Sequence, residues 1–254
     1  MRTTLAILTA CALGVCGAPT NGLASDAGAA EFRWHARQAY EAANQPCDFA
    51  PGVRRDQALA NERQRLAKFE ARMSGTPAKL QMDIARADVT YEAKLPPRPD
   101  CSPEMLALLS PAETRIGFSK SEIASAISRM ESQAPALADI ELSTNENFAS
   151  AGAKLRYVAR QLFELANPRC SLSTRAANDA ILGPMRTEIT RYRGSLPAAD
   201  SIQVDIAEAD VEFIHSITEV ECASPDARVA PSTLSAQMLA NAKALILSLS
   251  PVSR

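Results

Sequence analysis

The sequence predicts an all-α protein built as a tandem duplication of one four-helix, disulfide-closed domain. Three observations predict it. The chain matches itself in order at a nearly constant offset, its apolar residues recur at helical spacing, and four cysteines fall at matched places in the two copies.

The self-match has three parts. His35-Ala36-Arg37-Gln38-Ala39-Tyr40-Glu41-Ala42-Ala43-Asn44 aligns with Val158-Ala159-Arg160-Gln161-Leu162-Phe163-Glu164-Leu165-Ala166-Asn167, an offset of 123 residues. Met82-Asp83-Ile84-Ala85-Arg86-Ala87-Asp88-Val89 aligns with Val204-Asp205-Ile206-Ala207-Glu208-Ala209-Asp210-Val211 at 122, and Cys101 with Cys222 at 121. A period this long is a whole domain rather than a solenoid repeat.

Within each copy the spacing predicts four helices, over 29–44, 56–73, 77–94 and 111–131, then 151–167, 174–192, 199–220 and 232–249. The first helix of each copy places apolar residues at i, i+3, i+4 and i+7: Ala36, Ala39, Tyr40 and Ala43, then Ala159, Leu162, Phe163 and Ala166. Asn44 and Asn167 stand where these helices stop, followed by Pro46 and Pro168, which cannot continue them. Thr76-Pro77 reads as a cap and first helical residue. No stretch alternates with period two, so no sheet is expected. The Pro96-Pro97-Arg98-Pro99 run reads as a helix stop in preference to a polyproline ligand. The expected divisions are a signal peptide over 1–24, copy 1 over 25–131, a linker over 132–149 and copy 2 over 150–254.

The export signal is read from Arg2, the apolar run Leu5 to Val15, and Gly22-Leu23-Ala24, with cleavage after Ala24. The run is too short to span a bilayer. Lipid anchoring at Cys11 or Cys16 is the minor alternative. The predicted location is periplasmic or secreted, in a bacterium, with no transmembrane segment after the signal is removed.

Cleavage leaves Cys47, Cys101, Cys170 and Cys222, which allow three pairings in an oxidising compartment. In an up-down bundle helices one and three run the same way. Cys47 follows helix one and Cys101 follows helix three, so both lie at one end. The expected bonds are Cys47–Cys101 and Cys170–Cys222.

A net charge of −2, from 27 basic and 29 acidic residues, points to no nucleic-acid partner. The arginines are interleaved with acids and read as solvated helix faces. No phosphate loop, nucleophile elbow or zinc-binding helix motif occurs. Asp83 and Asp88, like Asp205 and Asp210, are five residues apart, about 140° around a helix, and do not converge. Glu208, Glu212 and His215 share one face, with a Glu-x-x-His spacing, and are weak metal-ligand candidates. Copy 1 has Arg86 where copy 2 has Glu208, so the matching half of a di-metal site is missing; no metal or other cofactor is expected. Arg37 with Asp88, and Arg160 with Asp210, are expected to form structural ion pairs, one per copy. Each aspartate lies four residues after an isoleucine on the apolar face and needs a partner. In a square bundle helices one and three are diagonal, and only the long arginine could reach across.

The function expected from this inventory is a non-catalytic, exported, helical binding or scaffolding protein with an unidentified protein or small-molecule partner. The alternative is a periplasmic small-molecule or metal carrier, or an enzyme of unfamiliar type, using the cleft between the copies. A pocket between the copies of about 300 Å³ or more, with convergent polar groups, would favour the alternative.

Overall fold

The computed structural model describes residues 27–137, 147–167 and 175–218, together with 240, 241 and 244; for 175–179 and 181 it describes the backbone alone. Among the described residues every regular element is helical. The helices are α1 (Ala27–Ala43), α2 (Arg55–Ala58), α3 (Ala60–Arg72), α4 (Pro77–Glu92), α5 (Pro103–Ala107), α6 (Ala112–Gln133), α7 (Phe148–Ala151), α8 (Ala153–Ala166), α9 (Arg175–Gly194) and α10 (Ala198–Ile217), with a 3₁₀ turn at Ala134–Leu137. The predicted signal peptide, Cys170, Cys222 and most of the predicted eighth helix lie outside the described residues.

Local chemistry accounts for the helix ends. The Thr76 hydroxyl accepts from Lys79 N and Pro77 opens α4, while Gly75 makes the preceding turn at φ +75°. Asn44 Nδ2 donates to Tyr40 O at 2.9 Å, and Arg63 Nε donates to Ala43 O at 2.8 Å, which satisfies carbonyls that a helix end leaves unpaired. The end of α8 repeats both contacts: Asn167 Nδ2 to Phe163 O at 3.2 Å and Arg186 Nε to Ala166 O at 3.2 Å.

Three features depart from the expected helices, the first being the division of the predicted helix 151–167 at Gly152, between α7 and α8. The predicted helix 56–73 breaks at Leu59, whose non-helical backbone sends its side chain completely inside. A short helix, α5, follows Cys101, capped by the Ser102 hydroxyl, which accepts from Met105 N.

The first core is built on α1, where Phe32, Ala36, Ala39 and Tyr40 meet Ala78, Met82 and Ala85 of α4 and Ile123 and Met130 of α6. Alanines at this seam let the backbones approach closely. Helices α1 and α4 therefore pack side by side, not diagonally as a square bundle would place them. The Cys47–Cys101 disulfide joins the chain just beyond these two helices, with 5.3 Å between the Cα atoms. A second core, with Val158, Leu162, Phe163, Met185, Val204 and Val211, holds α8, α9 and α10 together.

The two halves also share a core. Ile84 of α4 and Ile206 of α10 are both fully buried, packed with Phe148 and Ala149. Burying an isoleucine fully is worth about 1.5–3 kcal/mol. Helix α10 lies against α1, and α4 lies against α8, so each half presents its third helix to the other half's first. Both ends of the expected linker are drawn in: Gln133 belongs to α6, Leu137 enters the first core, and Phe148 enters the shared one.

Candidate functional site

The junction between the halves carries a buried charge cluster, and the helical repeat builds it. On α1, Arg33 and Arg37 are four residues apart and share a face; on α8, Arg156 and Arg160 do the same. On α4, Gln81, Ile84, Asp88 and Glu92 form one stripe, matched on α10 by Gln203, Ile206 and Asp210. Packing α4 on α8 and α10 on α1 brings these stripes together around the two isoleucines.

Two arginines cross the junction in opposite directions. Arg33 donates from Nε to Asp210 Oδ1 at 2.7 Å and from Nη1 to Gln81 Oε1 at 2.7 Å. Arg156 donates from Nε to Asp88 Oδ1 at 2.9 Å, and from Nη1 to Gln203 Oε1. Each arginine takes its amide from its own half and its carboxylate from the other. Arg156 also donates from Nη2 to Asp88 Oδ1 at 2.6 Å and to Ala149 O at 2.7 Å.

The expected pairs lie inside this network. Arg37 Nη1 is 3.9 Å from Asp88 Oδ2, and Arg160 Nη1 is 3.6 Å from Asp210 Oδ2. Neither is the shortest contact its arginine makes. Arg37 Nη2 donates to Glu92 Oε2 at 2.7 Å, and Arg160 donates to Asp88 Oδ2 at 2.7 Å and Glu92 Oε1 at 2.8 Å. Partner choice follows packing: α8 sets Arg160 beside α4, and Glu92, one turn beyond Asp88, meets both arginines. Position 214, 122 residues after Glu92, is Ile214, so the third carboxylate comes from the first half alone.

The electrostatics are those of a lock. Arg33, Arg156 and Asp88 are each at most 1% exposed. A buried ion costs several kcal/mol unless it is paired and hydrogen-bonded. Burial pushes the Asp88 carboxyl up, but the guanidinium groups of Arg160 and Arg156 outweigh it and hold the acid below the usual carboxylate range. Burial lowers Arg37, and the carboxylates of Glu92, Glu41 and Asp88 more than reverse it, so its pKa is raised. Three polar atoms of the cluster lack a hydrogen bond, Arg33 Nη2, Gln81 Nε2 and Asp210 Oδ2; Arg33 Nη2 lies 2.6 Å from Asp210 Oδ1, and Asp210 Oδ2 faces Arg160.

The reading of the arginines as solvated faces fails at Arg33 and Arg156, which it passed over with Gln81, Gln203 and Glu92. A signal was present. Gln81 and Gln203 extend the second sequence match by one residue, and Arg33 and Arg156 share the offset of the first.

Beside the cluster, a cleft of about 630 Å³ opens between the halves. It is lined by Glu92 of α4, by Tyr157, Arg160, Gln161, Glu164 and Leu165 of α8, and by Asn241 and Ala244. A smaller cleft of about 260 Å³ is lined by Glu208, Glu212 and His215. These do not converge as ligands. Glu208 accepts from Arg193 Nη1 at 3.0 Å, His215 Nε2 lies 2.9 Å from Glu164 Oε2, and Glu212 is exposed. Among the described residues no three His, Cys, Asp or Glu side chains are grouped to hold a metal ion. No described helix is long and apolar enough to cross a membrane.

Comparison with protein-family models, with curated proteins and with solved structures finds no match.

Proposed function

We propose that this chain is an exported, non-catalytic helical binding or scaffolding protein, formed by duplication of one helical unit. The observation that carries the binding reading is the charge cluster. Its carboxylates accept from guanidinium groups, and a base or nucleophile held in that way is not poised for proton transfer or attack. The cluster therefore serves to hold two halves in one arrangement, which suits a surface that must keep its shape.

Duplication is supported by contacts that recur about 122 residues apart: Arg33 and Arg156 with their glutamines and aspartates, Arg63 and Arg186 on helix-end carbonyls, and Asn44 and Asn167 at the same ends. Export to the periplasm or beyond is supported by the Cys47–Cys101 bond, because disulfides persist in oxidising compartments. A Cys170–Cys222 bond completes the proposal.

The second reading, a small-molecule carrier, rests on the cleft of about 630 Å³ between the halves, with Glu92, Arg160, Gln161 and Glu164 on its walls. Native mass spectrometry of the full-length gene product, recovered from its own compartment, tests both. The expected species begins at or near Ser25, carries two disulfides, and retains a ligand or partner. A species with Met1 intact and free thiols would overturn export. A retained small molecule displaced by Arg160→Ala would select the carrier reading.

A further inference from the structure

A second cleft, of about 490 Å³, lies along α1 between α6 and the end of α10. Part of its wall is aromatic and apolar: Trp34 from α1, Phe118 from α6, Phe213 and Ile217 from α10. Phe118 is 68% exposed and Ile217 is 49% exposed, so two large apolar side chains meet water in one cleft. Among its polar groups are three acceptors, Glu31, Glu122 and His35, beside Gln38, Ser121, Ser125 and Arg129.

His35 narrows the chemistry. It is 6% exposed, and its Nε2 makes no hydrogen bond. The other ring nitrogen, Nδ1, lies 3.1 Å from Gln38 Oε1, which can only accept. In the neutral ring the proton therefore sits on Nδ1, and Nε2 presents a lone pair. Glu31 Oε1 is 3.7 Å from Nε2, too far for a hydrogen bond, and the Glu31 side chain is 41% exposed. A donor seated beside this pair can satisfy both. Glu122 is a third acceptor. Arg129, exposed on the rim, offsets one of the two carboxylates, so the cleft keeps a net negative charge.

We propose that this cleft binds a small primary ammonium carried on an aromatic or apolar skeleton. The acceptors Glu31, Glu122 and His35 Nε2 take its N–H donors, and Trp34, Phe118 and Phe213 take its apolar body and favour its charge through their ring faces. The proposal rests on the binding-protein reading and supplies a ligand class. The cleft needs both halves, because Phe213 and Ile217 come from the second. The equivalent face of α8 keeps Tyr157 and Gln161 but has Val158 in place of His35, so it lacks the buried acceptor.

Trp34 is the only tryptophan in the chain, so its fluorescence reports this cleft. The test is a titration of the full-length protein with benzylammonium, benzyl alcohol and benzoate. Benzylammonium is expected to saturate with Kd of about 1 mM or tighter, benzyl alcohol to bind at least about tenfold more weakly, and benzoate not to bind. Glu31→Gln with Glu122→Gln should weaken benzylammonium at least about tenfold, and His35→Gln should weaken it while leaving benzyltrimethylammonium unaffected. Phe118→Ala, at an exposed position, tests the apolar wall with the helical spectrum unchanged. Equal affinity for the alcohol and the amine would overturn the proposal, as would no response in a natively folded protein. Tighter binding by more than about tenfold of an acetylated Phe-Lys-Phe peptide would also overturn it, since a protein would then be the occupant. A retained ligand in the native mass spectrum alongside failed titrations would leave the binding-protein reading standing without this site.

Discussion

Arg156 reaches Asp88 across the junction of the two halves, with 2.6 Å between Nη2 and Oδ1 and both side chains out of water. Arg33 reaches Asp210 in the opposite direction, also at 2.6 Å. The halves are thus tied by two exchanged ion pairs around an apolar centre, Ile84 on Ile206. A buried pair need not add net stability over a well-packed apolar replacement, but losing one partner leaves a stranded charge.

That asymmetry gives the first prediction. Arg156→Ala or Asp88→Asn should each cost about 3–5 kcal/mol in urea unfolding. Arg156→Met combined with Asp88→Leu should cost less than either single change. A double-mutant cycle should show stronger coupling for Arg156 with Asp88 than for Arg37 with Asp88, where the atoms are 3.9 Å apart. Equal coupling in the two cycles would mean that the cross-junction contact is not the dominant one.

The second prediction concerns acid. The folded pKa of Asp88 lies below its unfolded value, because Arg160 and Arg156 overcome the effect of burial. Its contribution is therefore present above the unfolded value of about 4 and is lost as pH falls through the lower folded value. Burial raises Asp205 and Glu208 against the opposing pull of Arg193, so their contributions have the opposite sign and fade as pH rises through their folded values. Stability should fall as pH drops below about 4, and Asp88→Asn should flatten that slope while lowering stability throughout. Chemical denaturation at a series of pH values measures both.

A third prediction follows from the loop that Cys47–Cys101 closes, which spans 54 residues. On chain-entropy grounds the bond is worth about 4 kcal/mol. Cys47→Ser with Cys101→Ser should lower the melting temperature well beyond the effect of a surface change, and added reductant should do no further harm at this site. Circular dichroism melts with and without reductant check it.

A fourth prediction contrasts two glycines. A Cβ on Gly152 would collide with the Gln203 side chain, which donates to Phe148 O at 3.0 Å and accepts from Arg156. Gly152→Ala should therefore cost about 1–3 kcal/mol by overpacking. Gly117, inside α6, has nothing within 4 Å of a built Cβ, and Gly117→Ala should stabilise by about 0.5–1 kcal/mol. Opposite signs in paired urea melts are the expected result.

Much of the helical layout was legible in the chain because a helix face is a local pattern. The i, i+3, i+4 and i+7 spacing over 36–43 and 159–166, the Asn44 and Asn167 stops, and the Thr76-Pro77 start all fall where α1, α8 and α4 begin or end. The Cys47–Cys101 bond was legible from helix direction alone, since two residues beyond parallel helices share an end. The break at Leu59 and the need for glycine at position 152 were not, because each depends on a distant neighbour: the core that takes Leu59, and the Gln203 side chain that leaves no room for a Cβ.

The sequence by itself determined that Asp88 and Asp210 would sit on apolar helix faces and need arginine, because burial of a carboxylate demands an opposite charge. It also placed arginines at matching heights on the first helix of each half. Which arginine serves which aspartate was decided only by the tertiary structure. Several guanidinium groups lie within a side chain's reach of each carboxylate, and the pairing depends on which helices touch. Packing α4 on α8 and α10 on α1 gave Asp88 to Arg156 and Arg160, Asp210 to Arg33, and Glu92 to Arg37 and Arg160. Periodicity is a property of one helix; the partner of a buried charge is a property of the space between two.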